Sequence, residues 1–477
     1  AARGGAEDAT PPWRGGTGPA LASGGRAPVT EANTRWDAAR SRLVAAHAFP
    51  PVLRRRPAVR GDRAETPAGR LLQRLFLEGR AAGHAGDLYD NRDRGHSRLR
   101  LGPYPQLSAV EYGKAAREAG ADYGFNGVMG FDAPVFGNSS TAITAGPYAR
   151  SQARAGLTSE ARMRALVWQW EGNAVYVYPE HRDHDPVPGP GEEGRGRGDL
   201  FPANTPYMLV SQGSSGSDRP ILHALAHIFA AFRPATKAHL AAEGLIAPTV
   251  QMVFRRGLAA VEDEAAAYLS PAAHPVVVRR EAIALPTMVG IANRLTPETV
   301  PPRVVLRVAQ DLVARPGMDL MGEGLSERLL DTPSAVARIW RSLAPTRRVV
   351  LDARGTEGAA DGGLRFHWVV TRGDPAKVRI APRGPGGAVA EIEIDWHRPA
   401  PAPPGGDPEA PPITSHRIDI AVIADNGTEL SAPAFFSVAL PPRQGRVYTA
   451  LPGGGMALDR IDYAAPDTAR LLDDDWT

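Results

Sequence analysis

The period of the hydrophobic pattern changes along this chain, and that change limits its architecture more than any single motif. From Arg347 onward apolar residues come in short runs that alternate with polar ones: RVVLDARGT, LRFHWVVTRG, KVRIAP, AVAEIEIDWH, HRIDIAVIADNGTEL and APAFFSVAL. Successive side chains of a strand point to opposite faces, so a period of two marks strands buried on one side. Turn residues separate the runs at the spacing of a β-sandwich. Before Arg347 the pattern is mixed. Apolar residues at helical spacing predict helices from near Trp36 (RWDAARSRLVAAHAF) and over 68–80, 109–119, 161–170, 219–232, 235–243, 258–269, 303–314 and 334–343. Within 68–80, Leu71, Leu72, Leu75 and Phe76 fall on one face. Strands are expected at 174–178 (AVYVY) and 207–210, so strand and helix alternate through the centre. The expectation is an α/β or α+β main domain over 36–345 and a β-sandwich over 346–445. Residues 1–35, rich in Gly, Ala, Pro and Thr without periodicity, read as a flexible leader, and 446–477 as a C-terminal tail.

Length and composition narrow the function classes. A chain of 477 residues is too long for one ordinary domain. Its 55 basic and 52 acidic residues leave a net charge of only +3, and just three of the basic residues are lysines (Lys114, Lys237, Lys377). No stretch combines dense basic residues with interleaved aromatics, so no nucleic-acid partner is expected. The absence of cysteine excludes disulfides, thiolate metal sites and Cys nucleophiles. No apolar run reaches about 18 residues, so no membrane span is expected. The chain begins at Ala without an apolar signal segment, which reads as an exported mature protein: secreted, periplasmic or at the cell surface.

The succession VVLDARGT, DGGLRFHWVV and RIDIAVIADNG resembles a polycystic-kidney-disease (PKD) domain, an immunoglobulin-like β-sandwich. The resemblance covers about 95 residues and implies that Trp368 is the buried core tryptophan. The loop GTEGAADGG matches the family's turn only loosely, and 398–412 (RPAPAPPGGDPEAPP) is a long insertion. Such domains are accessory modules on exported proteins, which agrees with export and says nothing of chemistry. Residues 36–340 resemble no family.

Four segments concentrate polar side chains. The densest, YPEHRDHDP, follows the strand at 174–178 and offers Glu180, His181, Asp183, His184 and Asp185 around Arg182. Two imidazoles and three carboxylates so close together can ligate a metal or supply an acid–base pair; the alternative is a salt-bridged turn. The segment SQGSSGSD, between the strand at 207–210 and the helix at 219–232, offers Gln212, Ser214, Ser215 and Ser217. There Asp218 or Ser217 is expected to cap the helix, with Pro220 in its first turn. The same glycines and serines could instead form an anion or sugar site, or hold a nucleophilic serine. The order Gly213-Ser214-Ser215-Gly216-Ser217 departs from the G-x-S-x-G elbow by one place. GDLYDNRDRGHS offers Asn91, Asp93 and His96, without EF-hand order. FGNSSTAIT offers Asn138, Ser139, Ser140 and Thr141. His223 and His227 stand four apart on one helix, but Ala224 occupies the place of a metalloprotease glutamate, so they read as packed or surface residues.

Strands of an α/β sheet present their loops at the carboxyl end, where ligands gather. If the four segments meet there, the expected site is hydrolase-like. His181, Asp183, Ser214 and Ser215 would be catalytic. Asn91, Asp93, His96, Asn138, Ser139, Gln212 and Ser217 would bind substrate. Glu180, His184 and Asp185 would hold a divalent metal, calcium or zinc, if one is used. The substrate class is hydroxyl-rich or anionic, such as a glycan. The rival is a non-catalytic surface protein that grips carbohydrate or a partner subunit, as a homo-oligomer or surface assembly, using Trp168, Trp170, Tyr176 and Tyr178 along a groove.

Overall fold

The computed structural model describes residues 16–50, 58–83, 86–125, 127–140, 160–179, 203–213, 215–311, 326–358, 362–398, 400–401, 414–415, 417–440 and 445–462. Its centre is a six-stranded sheet built from Arg26–Val29 (β1), Asp87–Asn91 (β2), Leu107–Tyr112 (β3), Val135–Asn138 (β4), Ala174–Pro179 (β5) and Met208–Ser211 (β6), in the spatial order β6-β5-β4-β2-β3-β1. Every pairing is parallel. β4, β5 and β6 are buried throughout, as strands covered on both faces must be. On one face Phe136 meets Phe229 of helix Arg219–Ala231 (α3); on the other Phe125 packs edge-on against Tyr176. Helices Pro67–Leu77 (α1), Glu160–Glu171 (α2), Pro234–Ala242 (α4), Ile246–Arg256 (α5) and Leu285–Arg294 (α6) complete the layers.

One buried polar group ties three strands together across a fourth. Asp90 on β2 accepts hydrogen bonds from Tyr112 on β3 (2.8 Å), from Tyr176 on β5 (2.5 Å) and from Arg92 Nε (2.6 Å). β4 lies between β2 and β5, and its residue level with Asp90 is Gly137. A Cβ there would sit 1.9 Å from the Asp90 carbonyl oxygen and 2.8 Å from the Tyr176 ring. The missing side chain is what lets Tyr176 reach across β4. Arg92 is fully buried, stacks on Tyr176 at 4.9 Å and donates to the Met129 carbonyl (2.8 Å). Burial opposes its charge, but Tyr176, Tyr112 and Asp90 outweigh burial and hold its pKa above the usual arginine value.

The C-terminal half consists of two facing sheets. One has the order β7-β10-β13-β12, from Arg307–Asp311 (β7), Thr346–Asp352 (β10), Val378–Arg383 (β12) and Val389–Asp395 (β13), all antiparallel. The other has the order β8-β9-β15-β14-β11, from Arg328–Thr332 (β8), Ala335–Ile339 (β9), Arg365–Arg372 (β11), Arg417–Asp425 (β14) and Ala434–Ala439 (β15). Its one parallel pair is β9 with β15. Val349, Leu351, Ile392 and Ile394 from one sheet share a core with Ile420, Val422, Phe436 and Val438 from the other. These sheets begin at Arg307, ahead of the expected boundary at 346. The fully buried tryptophan is Trp340, edge-on to Trp396 at 5.5 Å. Trp368, expected in that role, is half-buried and donates its indole N–H to Gly387 (2.9 Å).

Several other expectations give way. The helix expected from near Trp36 is a pair of strands, Thr34–Asp37 and Arg42–Ala45, turned by Asp37, whose Oδ1 accepts from the N–H groups of Ala39 and Arg40. The helices over 303–314 and 334–343 are β7 and β9. β9 is buried on both faces, and a short run buried on both faces carries no period to tell strand from helix. Only Ala265–Tyr268 is helical within 258–269, and 109–119 divides into the end of β3 and helix Lys114–Glu118. The leader contributes β1, and the tail contributes an antiparallel hairpin, Gly445–Ala450 with Met456–Asp462.

Replacing Trp340 by Ala is expected to cost about 3–5 kcal/mol, the range for deleting a buried large aromatic, and Trp368→Ala distinctly less. Urea denaturation of both variants checks the order; equal losses would place the sandwich core elsewhere.

Candidate functional site

The order of the central sheet reverses at β2: β3 lies to one side of it and β4 to the other. Loops leaving two such strands diverge, and the crevice outside their carboxyl ends is where open α/β sheets bind ligands. Asn91 and Asn138, level with each other, end β2 and β4 there. Asn138 Oδ1 accepts from Tyr89 OH (2.8 Å) and Asn91 Nδ2 (3.1 Å), while its Nδ2 donates to the Ser97 carbonyl (3.3 Å) and to Asp218 Oδ2 (2.6 Å). All four hydrogen-bonding positions of Asn138 are thus used, and the residue is fully buried. Asn91 ties its own loop, accepting from the Gly95 N–H (2.7 Å) and donating to the His96 carbonyl (2.9 Å). Ser139, also fully buried, donates to the Arg92 carbonyl (2.9 Å). These three residues, expected to bind substrate, fasten the loops through these bonds.

The loop fastened in this way presents a carboxylate–imidazole pair. Asp93 Oδ2 stands 3.3 Å from His96 Nδ1 and accepts from the backbone N–H (3.3 Å) and hydroxyl of Ser140. Asp93 is buried, whereas the His96 side chain is 64% exposed. The imidazole thus turns Nδ1 to a carboxylate while most of the ring is open to solvent. Arg94 (φ 51°) and Ser97 (φ 53°), on either side of His96, lie in the left-handed region that non-glycine residues rarely adopt. Such strain is held in place where the surrounding structure dictates it, here by the Asn91, Asn138 and Asp93 bonds.

Asp218 approaches the same crevice from the start of α3. It occupies the N-cap position, but its carboxylate makes no cap, contrary to expectation. It turns to Asn138 Nδ2, and among the described residues its other oxygen has no hydrogen-bond partner. Burial, the largest influence, raises its pKa above the ordinary aspartate value, and the Asn138 bond only partly offsets this. Gly213 (φ 115°) and Gly216 (φ 101°) let the preceding loop turn twice within four residues. Ser217 pairs with Ser211 (2.9 Å between hydroxyls), and the side chains of Gln212 and Ser215 are half-buried. Ser214 lies outside the described residues, as do Thr141 and the densest expected segment with Glu180, His181, Asp183, His184 and Asp185. Among the described residues no three His, Asp or Glu side chains converge as a metal site.

His223 and His227 are engaged in packing. Arg63 Nη2 lies 2.8 Å from His223 Nε2 and can only donate, so His223 Nδ1 carries the proton and donates to Tyr104 OH (2.5 Å). His227 Nδ1 donates to the His223 carbonyl (2.7 Å). Burial, then Arg63, holds the pKa of His223 down to about 4, and burial does the same to His227. Trp170, Tyr176 and Tyr178, candidates for an aromatic groove, are buried in the core, and Trp168 is half-buried. The chain matches no known protein family and no curated protein.

Two predictions follow from these ionisable groups. The native state binds the Asp218 proton more tightly than the unfolded chain does, so the carboxylate costs stability once pH rises above its unfolded value. Asp218→Asn is expected to raise the melting temperature at pH 7, with the gain shrinking as pH falls towards 4; a loss at pH 7 would show the charge to be compensated. For His223 and His227 the sign is opposite. The unfolded chain takes up protons below about pH 6.5 while the native imidazoles stay neutral down to about pH 4, so stability falls across that window. The double variant His223→Gln/His227→Gln should flatten the slope of unfolding free energy against pH there, as read by urea titrations.

Proposed function

We propose that this chain is an exported hydrolase-like enzyme acting on a hydroxyl-rich or anionic substrate such as a glycan. The observation that carries the reading is the Asp93–His96 pair, its imidazole exposed, at the end of β2 where the order of a parallel sheet reverses. In this reading His96 Nε2 is the general base that takes a proton from an attacking hydroxyl or water, and Asp93 orients the ring and stabilises the imidazolium. Asp218, whose pKa burial raises and which is linked to the same loop through Asn138, is the candidate proton donor to a leaving oxygen. Ser215 and Ser217 on the turn before α3 lie on the loop best placed to contact substrate hydroxyls.

The C-terminal half is read as an immunoglobulin-like module of the PKD kind. Supporting this, β7, β10, β13 and β12 follow the A-B-E-D order of such sandwiches, and β15, β14 and β11 follow G-F-C. Export rests on that likeness.

The test is a screen of glycan and ester substrates on the wild type, followed by variants of the active hit. His96→Ala is expected to lower kcat by about 100-fold or more, the usual contribution of general base catalysis, and Asp93→Asn by a comparable factor, with circular dichroism unchanged. Full activity in His96→Ala would remove this assignment.

A further inference from the structure

The connection from β2 to β3, residues 92–106, contains no helix, and open space lies between it and the residues that lead into β1 and β2. A cavity of about 1020 Å³ lies there. Its apolar lining includes Phe49, Leu101 and Leu107, with Tyr104 beneath. Four arginines, Arg26, Arg60, Arg98 and Arg100, also line it, against a single acid, Glu111. Arg26 lies 3.5 Å from Glu111. Among the described residues Arg60, Arg98 and Arg100 are exposed and have no acidic partner, although the whole chain is nearly balanced in charge. Elsewhere on the chain arginines are commonly paired, as Arg347 is with Glu327 (2.6 Å) and Asp311 (2.8 Å). Their positions are held by the backbone: the Arg60 N–H donates to the Pro103 carbonyl (2.8 Å), and the Leu99 N–H, between Arg98 and Arg100, donates to Tyr89 OH (2.8 Å). A smaller cavity of about 120 Å³ against Tyr89, Asn91 and Gly95 shares Arg98 and Glu111 with the large one. The cleft thus leads to the loop that carries Asp93 and His96.

We infer that this cleft binds an acidic glycan chain, its carboxylate or sulfate groups paired with Arg60, Arg98 and Arg100 and its sugar faces over the apolar lining. The planar guanidinium matches both anions in a two-bonded fork. Single-stranded nucleic acid, the other polyanion, is disfavoured by the lining: such grooves stack bases on aromatic rings, but Tyr104 is buried with its hydroxyl committed to His223 and Phe49 is half-buried. The inference rests on the proposed function only in taking the bound chain as substrate; binding itself needs neither His96 nor Asp93.

The test is titration calorimetry with polygalacturonate and heparin, and with neutral dextran and an oligothymidylate as controls. The wild type and His96→Ala are expected to bind the acidic glycans alike, so a failed catalytic assignment leaves this result standing. The variant Arg60→Gln/Arg98→Gln/Arg100→Gln, with its melting temperature unchanged, should bind at least tenfold more weakly and with less salt dependence. Glu111→Gln, which removes the one acid, should bind a few-fold more tightly. If the triple variant loses its fold, Arg100→Gln alone should still weaken binding. No binding by the wild type, equal binding by the arginine variants, or dextran or oligothymidylate bound as tightly as the acidic glycans would overturn the inference.

Discussion

The rest of the molecule is arranged around the buried carboxylate of Asp90. A charge in the middle of a parallel sheet is costly unless it is hydrogen-bonded, and here the donors come from β3, from β5 and from Arg92 just past β2. A shift of one residue in β3 or β5 would turn its tyrosine to the other face and remove one of the three donors. The glycine on β4 is part of the same device, because any side chain at Gly137 would separate Tyr176 from Asp90. Arg92 closes the network, and the next residue along the chain is Asp93. The element that locks the register is therefore continuous in sequence with the element offered as catalytic, and the loop inherits its rigidity from the sheet below.

Asp218 shows the opposite use of burial. Capping α3 in the ordinary way would have stabilised the helix end and satisfied backbone N–H groups. Instead the carboxylate faces Asn138, with one oxygen unpaired among the described residues. Stability surrendered at a helix start next to a crevice is the pattern expected where a group serves chemistry.

How much could be read from the sequence depended on whether local pattern or distant partners decided the outcome. α1, α2, α3 and α4 were legible because their apolar residues recur over several turns. α5 and α6 were not: Pro248 and Pro286 look like helix breakers, yet both stand in first turns, where proline costs no hydrogen bond. β9 was misread because burial on both faces erased its period, and the pair of strands at 34–45 because DAAR reads as helical until Asp37 turns it. At the site, Asp93, His96, Asn138 and Ser139 were legible as members of polar segments, but the strands that they end or follow, β2 and β4, were not. Which of them face solvent was not, since Asn138 is consumed by partners from Tyr89 to Asp218, the last 80 residues away. Asp218 was taken for a cap because nothing local shows that a distant asparagine competes for it.

The contact between the two halves differs from that of domains joined like beads. Glu429, from the turn after β14, is buried against Arg256 and Arg294, which also hold Asp263. Tyr268 OH donates to the Ser431 carbonyl (2.7 Å), and Tyr207 OH accepts from the Ser334 N–H (2.6 Å). Leu330, Ala335, Leu430 and Ala432 belong to the core of the first half, not that of the sandwich. Without the sandwich, Arg256 and Arg294 would keep, among the described residues, only Asp263 as an acidic partner, and the apolar surface under Leu330, Ala335, Leu430 and Ala432 would be bare. The C-terminal half thus supplies part of the core of the first, and loosening either half exposes apolar surface of the other.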